Sequence, residues 1–254
     1  MTSAPFLLLQ ITDTHIGGDW GGEDPVAGLR EVVEDVLALP DPPDAVVITG
    51  DLAEHGAAAE YATVRELTSP IPGLRHVLPG NHDDRGALRA AFDLPGGAAD
   101  PVRYAIDLGP LRLVALDTTI PGSDAGEVDA ETLAWLDAEL GRGEDRTTLL
   151  AMHHPPIATG IDAWDSIGLA PDDRAALERV LDDHAQVKRV VAGHVHQSIT
   201  ATLSGRPALT VPSTYVQAHL DFAGAKLRLG PGPRGYALHA VADGEIVSYV
   251  RTLS

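Results

Sequence analysis

Metal-binding side-chain types recur along this 254-residue sequence in short, tight groups: Asp13-x-His15, Gly50-Asp51, Gly80-Asn81-His82-Asp83, His153-His154 and Gly193-His194-Val195-His196. Six of the eleven histidines lie in these segments, and Asn81 is the single asparagine of the chain. A lone aspartate in such a place is commonly a turn or helix-cap residue. A lone histidine is commonly a hydrogen-bonded core residue. Five groups in one chain require more than that. Asp13, Asp51 and Asn81 offer oxygen donors; His15, His153, His194 and His196 offer imidazoles. Three oxygens and four nitrogens exceed what one ion of roughly four- to six-fold coordination uses, and suffice for two ions if a carboxylate bridges them. Mixed oxygen and nitrogen ligation without sulfur suits Mn, Fe, Co or Zn better than Ca or Mg. Two such ions ~3.5–4 Å apart lower the pKa of a bound water and clamp the oxygens of an in-line displacement at phosphorus.

The elements that must position these residues follow from the apolar pattern. Phe6 to Ile11 reads as a buried strand that ends just before Asp13. Asp24-Pro25 is an N-cap and first-turn pair, followed by helical spacing at Val26, Leu29, Val33, Val36 and Leu37 and a stop at residues 40–43. Further strands are expected over Ala45 to Thr49, His76 to Leu78, Leu111 to Leu116, Thr148 to Met152 and Val187 to Ala192. Helices are expected over Ala57 to Leu67, Asp129 to Leu140 and Asp172 to Asp183. Strands alternating with helices imply an α/β fold with helices covering the sheets, and each metal-binding group then falls just past a strand end. In such sheets the carboxyl ends share one edge, where ligands gather. Four more strands are read over residues 198–203, 208–211, 236–241 and 245–250. The G-x-G-x-x-G match at Gly230, Gly232 and Gly235 holds two prolines and leads into a strand, so it is a loop and not a dinucleotide site.

Composition narrows the class. Hydrophobic residues make up 44% of the chain and aromatics 4%, so the core must be mainly aliphatic. The formal net charge is -19. That balance argues against a nucleic-acid polymer or an anionic membrane as partner, since both need a clustered basic face. The chain has no cysteine, which excludes disulfides, thiolate metal sites and cysteine nucleophiles. No apolar run approaches the ~18 residues of a membrane span, and the N-terminal residues lack a signal-peptide pattern. One domain over residues 1–254 and a cytoplasmic location are expected.

Taken together, D-x-H, G-D, G-N-H-D, H-H-P-P and G-H-V-H resemble the calcineurin-like metallophosphoesterases, from Asp13 to His196, about three quarters of the chain. The resemblance implies a four-layer αββα sandwich of two mixed sheets flanked by helices, with a binuclear metal centre at the strand ends. Asp13, His15 and His196 would hold one ion, Asn81, His153 and His194 the other, and Asp51 would bridge them. A metal-bound hydroxide would be the nucleophile. The same resemblance makes His82 a substrate contact that protonates the leaving oxygen, with Asp83 beside it, and makes Asn81 a substrate contact as well as a ligand. His154 is a further substrate-binding candidate; His55, four residues after Asp51, could line the rim. His76, His184, His219 and His239 read as structural.

Residues 80–85, the His-His-Pro-Pro run and the tail segments Gly205 to Ala208 and Val211 to Thr214 are similar to class III cyclic nucleotide phosphodiesterases and glycerophosphodiesterases. A small phosphodiester substrate, cyclic AMP first, is therefore expected. The alternatives are glycerophosphodiesters or broad specificity. Residues 198–254 are expected to complete the sheet; in such relatives this segment helps shape the substrate pocket and often the dimer interface, which implies a homodimer or higher homo-oligomer. The competing class is a non-catalytic, metal-stabilised binding scaffold; the presence of His82 speaks against it.

Overall fold

A computed structural model describes residues 4–224 and 226–253 of the chain. Its first sheet is built from β1 (Phe6–Ile11), β2 (Ala45–Thr49) and β3 (Leu74–Leu78), joined by α1 (Pro25–Leu37) and α2 (Ala58–Thr68). α3 (Arg85–Phe92) follows β3. The second sheet uses β4 (Tyr104–Leu108), β5 (Leu111–Leu116), β6 (Thr148–Met152), β7 (Val187–Ala192), β8 (Thr200–Leu203) and β9 (Arg206–Thr210), with α4 (Ala130–Gly141) and α5 (Pro171–Asp182) in its crossovers. The chain then returns to the first sheet as β10 (Gly235–Ala242) and β11 (Glu245–Thr252). The strand orders are β11-β10-β1-β2-β3 and β8-β9-β7-β6-β5-β4. β1, β2 and β3 run parallel, as do β5, β6, β7 and β9, while β4, β8, β10 and β11 pair antiparallel with their neighbours.

Three apolar layers hold four structural layers together. Leu9, Ile11, Val46 and Ile48 turn outward from the first sheet onto Leu29, Val32 and Val36 of α1 and Val64 of α2. Leu8, Val47, Leu113, Ala151 and Val191 fill the space between the sheets. Val114, Leu150 and Val190 face Leu136 and Leu140 of α4 and Leu177 and Leu181 of α5. β2 and β6 are buried along their whole length, which is why they read as continuous apolar runs and not as alternating ones. Each buried Val or Leu contributes ~1.5–3 kcal/mol of transfer free energy. This is the expected αββα sandwich of mixed sheets, and among the described residues no helix is long and apolar enough to cross a membrane.

Several elements differ from the sequence expectation. β4 lies at a sheet edge with only partly buried side chains, so its apolar signal is weak. α3 is eight residues long and contains Gly86; it is started by Asp84, whose Oδ1 accepts from the Ala87 N–H at 2.7 Å. Short hairpins at residues 119–126 and 217–230 also escape the pattern, each having two to four residues per strand. The Asp24 cap and Pro25 start of α1 are as read.

One polar network sits inside the intersheet layer. His239 is fully buried; Nε2–H donates to Gln10 Oε1 (3.1 Å), and Nδ1 accepts from Ser248 Oγ (2.8 Å). Gln10 Nε2 in turn donates to Thr49 Oγ1 and Ala192 O. Burial, with the Arg189 charge, pushes the His239 imidazole down to about 3. The unfolded chain takes up this proton near pH ~6.5, so stability is full above that pH and is lost as pH falls toward about 3. Between pH 7.5 and 5 the loss from this group is ~2 kcal/mol. Denaturant titrations at those two pH values should show a smaller pH-dependent loss in His239→Gln than in the natural chain; equal losses would contradict the assignment.

Candidate metal centre

The carboxyl ends of β1, β2 and β3 meet those of β6 and β7 at one edge of the sandwich. Asp13 and His15 follow β1, Asp51 follows β2, Asn81 follows β3, His153 follows β6, and His194 and His196 follow β7. Asn81 Oδ1 lies 3.1 Å from both His153 Nε2 and His194 Nδ1, so the first sheet touches the second here. Asp13, His15 and His196 form one cluster whose ligand atoms all lie within 4.8 Å of one another. Asp51 Oδ2 stands between the groups, 3.6 Å from His15 Nε2 and 3.3 Å from His153 Nε2. All seven residues expected as ligands are thus brought together. Six of them are buried, and Asn81 is half-buried.

The local backbone is bent to make this possible. Eight non-glycine residues among those described have positive φ, and five are Asp13, His15, Asp51, His194 and His196. The left-handed region costs an L-residue about 1–2 kcal/mol, and such strain concentrates at functional sites. Glycines beside the ligands make room. A Cβ on Gly80 would sit 2.2 Å from Asp51 Oδ1, and one on Gly193 would sit 2.8 Å from Asp13 Oδ2. The glycine before Asn81 and the one before His194 are therefore dictated by close approach.

Hydrogen bonds fix the tautomers and show what the cluster requires. His196 Nδ1–H donates to Val216 O, and His153 Nδ1–H donates to Thr49 O. Their Nε2 lone pairs are left pointing inward. His15 Nδ1 is 2.9 Å from Glu54 Oε2, and its Nε2 is 3.1 Å from His196 Nε2. Two ring nitrogens facing each other at that distance need a positive centre between or beside them, a proton or a metal cation. His194 turns Nδ1 toward Asn81 Oδ1, and its Nε2 is buried with no hydrogen-bond partner. Burial lowers the pKa values of His15 and His153, but the bond to Glu54 and the charges of Asp51 and Asp13 outweigh it at His15 and raise its pKa, and the charge of Asp51 and the bond to it push His153 up to about 9. Burial and neighbouring imidazoles instead push His194 well down, and burial takes His196 to about 4. The carboxylates demand positive charge that the histidines alone supply unevenly. The donor set fits two cations; when bound, such ions activate water and neutralise phosphoryl oxygens.

The remaining candidates divide. His82 is a quarter exposed, its ring 4.8 Å from that of His15, and its Nδ1–H donates to Glu54 O at 3.1 Å. That leaves Nε2 for a substrate. Asp83 does not pair with His82. Its carboxylate accepts from the backbone N–H groups of Leu52, Ala53 and Gly80, bracing the Asp51 and Asn81 loops. Burial and the Asp51 charge push Asp83 up to about 6. His154 is not turned toward a substrate either: Nδ1 bonds Thr118 Oγ1, Nε2 bonds Asp124 O, and burial with the neighbouring His153 pushes it down to about 3. His55 is exposed at the rim, its Nδ1 2.8 Å from Glu60 Oε1.

Three residues of the site lie outside the motifs. Glu54 holds His15 through Nδ1 and lies 3.7 Å from His82. Trp20 and Trp164 flank His196 at ring distances of 6.4 and 6.1 Å. A signal existed for the latter pair, since the chain has only three tryptophans.

The calcineurin-like phosphoesterase model matches residues 6–198, and the chain belongs to that family. It is 37% identical, over 96% of its length and 79% of the relative's, to a cAMP/cGMP dual specificity phosphodiesterase of Mycobacterium tuberculosis. It is 31% identical to a 3',5'-cyclic adenosine monophosphate phosphodiesterase of Pseudomonas aeruginosa (94% and 87% covered) and 29% identical to a glycerophosphodiester phosphodiesterase of Enterobacter lignolyticus (98% and 91%). A dimetal phosphatase from Danio rerio shares the fold, with a TM-score of 0.69 at 17% identity over 97% of this chain and 99% of that one.

Proposed function

We infer that this chain is a dimetal phosphodiesterase hydrolysing small phosphodiesters, with 3',5'-cyclic nucleotides, cyclic AMP foremost, as its substrates. The observation that carries the reading is the buried seven-residue ligand cluster with the partly exposed His82 at its mouth. Asp13, His15 and His196 would hold one ion, Asn81, His153 and His194 the other, and Asp51 both. His82 would protonate the leaving oxygen, and Asn81 and His82 would contact the phosphate. His55, exposed at the rim, would meet the substrate's outer part. Trp20 and Trp164 favour a nucleotide, because both line the cleft over the cluster and stacking on an aromatic face is worth ~1–3 kcal/mol per base.

The oxygen and nitrogen donors suit Mn, Fe, Co or Zn, in divalent or mixed-valence pairs. A cyclic nucleotide substrate is consistent with the cytoplasmic location expected above. A homodimer through β11 is supported by its edge position and by Val247 and Tyr249, which are 51% and 60% exposed.

Protein reconstituted with Mn²⁺ should cleave cyclic AMP and bis(p-nitrophenyl) phosphate. The check is a substrate panel run on protein loaded separately with Mn, Fe, Co and Zn. Absence of turnover with all four metals would remove the enzyme reading.

A further inference from the structure

Two cavities meet at His82. One, of about 290 Å³, lies over the ligand cluster between Trp20, Trp164, Leu227 and Leu229. The other, of about 440 Å³, is walled by Arg85, Gly86, Ala98, Ala99 and residues 119–122. Asn81 and His82 are the residues that line both. The larger cavity falls within the ~300–1,000 Å³ range of small-molecule sites.

Its charged walls are already committed. Arg85 Nε donates to Asp117 Oδ2 at 2.8 Å, and its NH2 group donates to Thr119 O at 2.8 Å. Asp84 caps α3, and Asp83 accepts three backbone amides. His55, at its rim, is paired with Glu60. What remains is Asn81, Thr119, small or apolar side chains and backbone, a lining for an uncharged polar group.

A cyclic nucleotide retains its leaving oxygen on the same ribose, so its hydrolysis needs room for one organic group. An acyclic diester carries two, and the departing one must lie beside the residue that protonates it. We propose that the 440 Å³ cavity is a subsite for the uncharged departing arm of an acyclic phosphodiester, a nucleoside or similar polyol. The chain then hydrolyses dinucleoside monophosphates as well as cyclic nucleotides. This rests on the phosphodiesterase reading with His82 as the acid. In the reaction, water oxygen bonds to phosphorus and the bond from phosphorus to the departing oxygen breaks. His82 gives its proton to that oxygen and regains one from the incoming water.

The test compares adenylyl-(3'→5')-adenosine with 3',5'-cyclic AMP on the metal-loaded enzyme, using Ala99→Phe and Ala98→Phe. Both alanines are exposed, so a larger side chain can be accommodated and should fill the cavity. The natural chain should cleave both substrates. Each variant should lose on the order of 10-fold or more in kcat/KM for the dinucleotide, with cyclic AMP turnover within about twofold of the natural chain. Independently of turnover, adenosine added to zinc-loaded protein should shift the amide resonances of Ala99 and Ile120. Cleavage of cyclic AMP but not of the dinucleotide overturns the subsite alone. So does an equal loss on both substrates, no loss in either variant, or unshifted Ala99 and Ile120 resonances. Cleavage of neither substrate by the natural chain overturns the phosphodiesterase reading along with it.

Discussion

Asp51→Ala should reduce bound metal from two ions per chain to fewer than one and abolish hydrolysis, whereas Asn81→Ala should mainly weaken one ion. The difference follows from position. Asp51 Oδ2 is the carboxylate oxygen within 3.6 Å of a nitrogen from each group, His15 on one side and His153 on the other. Asn81 Oδ1 approaches His153 and His194 only on its own side. Asp51 also sits at φ 50°, a conformation that asparagine tolerates better than alanine. Asp51→Asn therefore separates the roles. It preserves an acceptor for the His82 N–H, which Asp51 Oδ1 now receives at 2.9 Å, while removing the charge that two cations share. It should fold as the natural chain does and still bind metal poorly. The check is metal analysis of dialysed protein beside a thermal melt. Two ions retained in either Asp51 variant would contradict the bridging role.

His82→Ala should cost roughly 10²- to 10⁴-fold in rate, the usual worth of a positioned general acid, with metal content unchanged. His82, Asp51 and His15 could by distance alone share an ion. The exposure of His82 separates it from the histidine ligands and from Asp51: a quarter of its side chain is accessible, against 3% or less for His15, Asp51, His153 and His196. The loss should also depend on the leaving group. An alkoxide leaving from cyclic AMP needs its proton, while p-nitrophenolate leaves with little help. The defect should accordingly be far larger on cyclic AMP than on bis(p-nitrophenyl) phosphate. A metal-filled scaffold would show no such dependence, and a loss of metal in the variant would make His82 a ligand.

Much of the site was legible because ligand chemistry restricts residue type. Asp13, Asp51, Asn81 and the four histidines each follow a strand whose apolar run is plain in the sequence, and β2 and β6 could be read almost to the residue. Roles that depend on direction were not legible. Asp83 and His154 each adjoin a functional residue in the chain, yet the backbone turns Asp83 onto three amides and His154 onto Thr118 and Asp124. Glu54 carries no motif, and its position between His15 and His82 exists only once β1 and β2 lie side by side.

By itself, then, the sequence determined which atoms could bind metal and which strand ends present them, since apolar runs and donor types are local properties. The tertiary structure decided that β1 to β3 bring three oxygen donors against imidazoles from β6 and β7, and that five of these residues take left-handed backbone. It also decided that His82 lies between two cavities. The physical reason is that these are relations between segments far apart in the chain, such as Asp13 and the His194 N–H it accepts from, 181 residues away. Packing of the two sheets sets that distance.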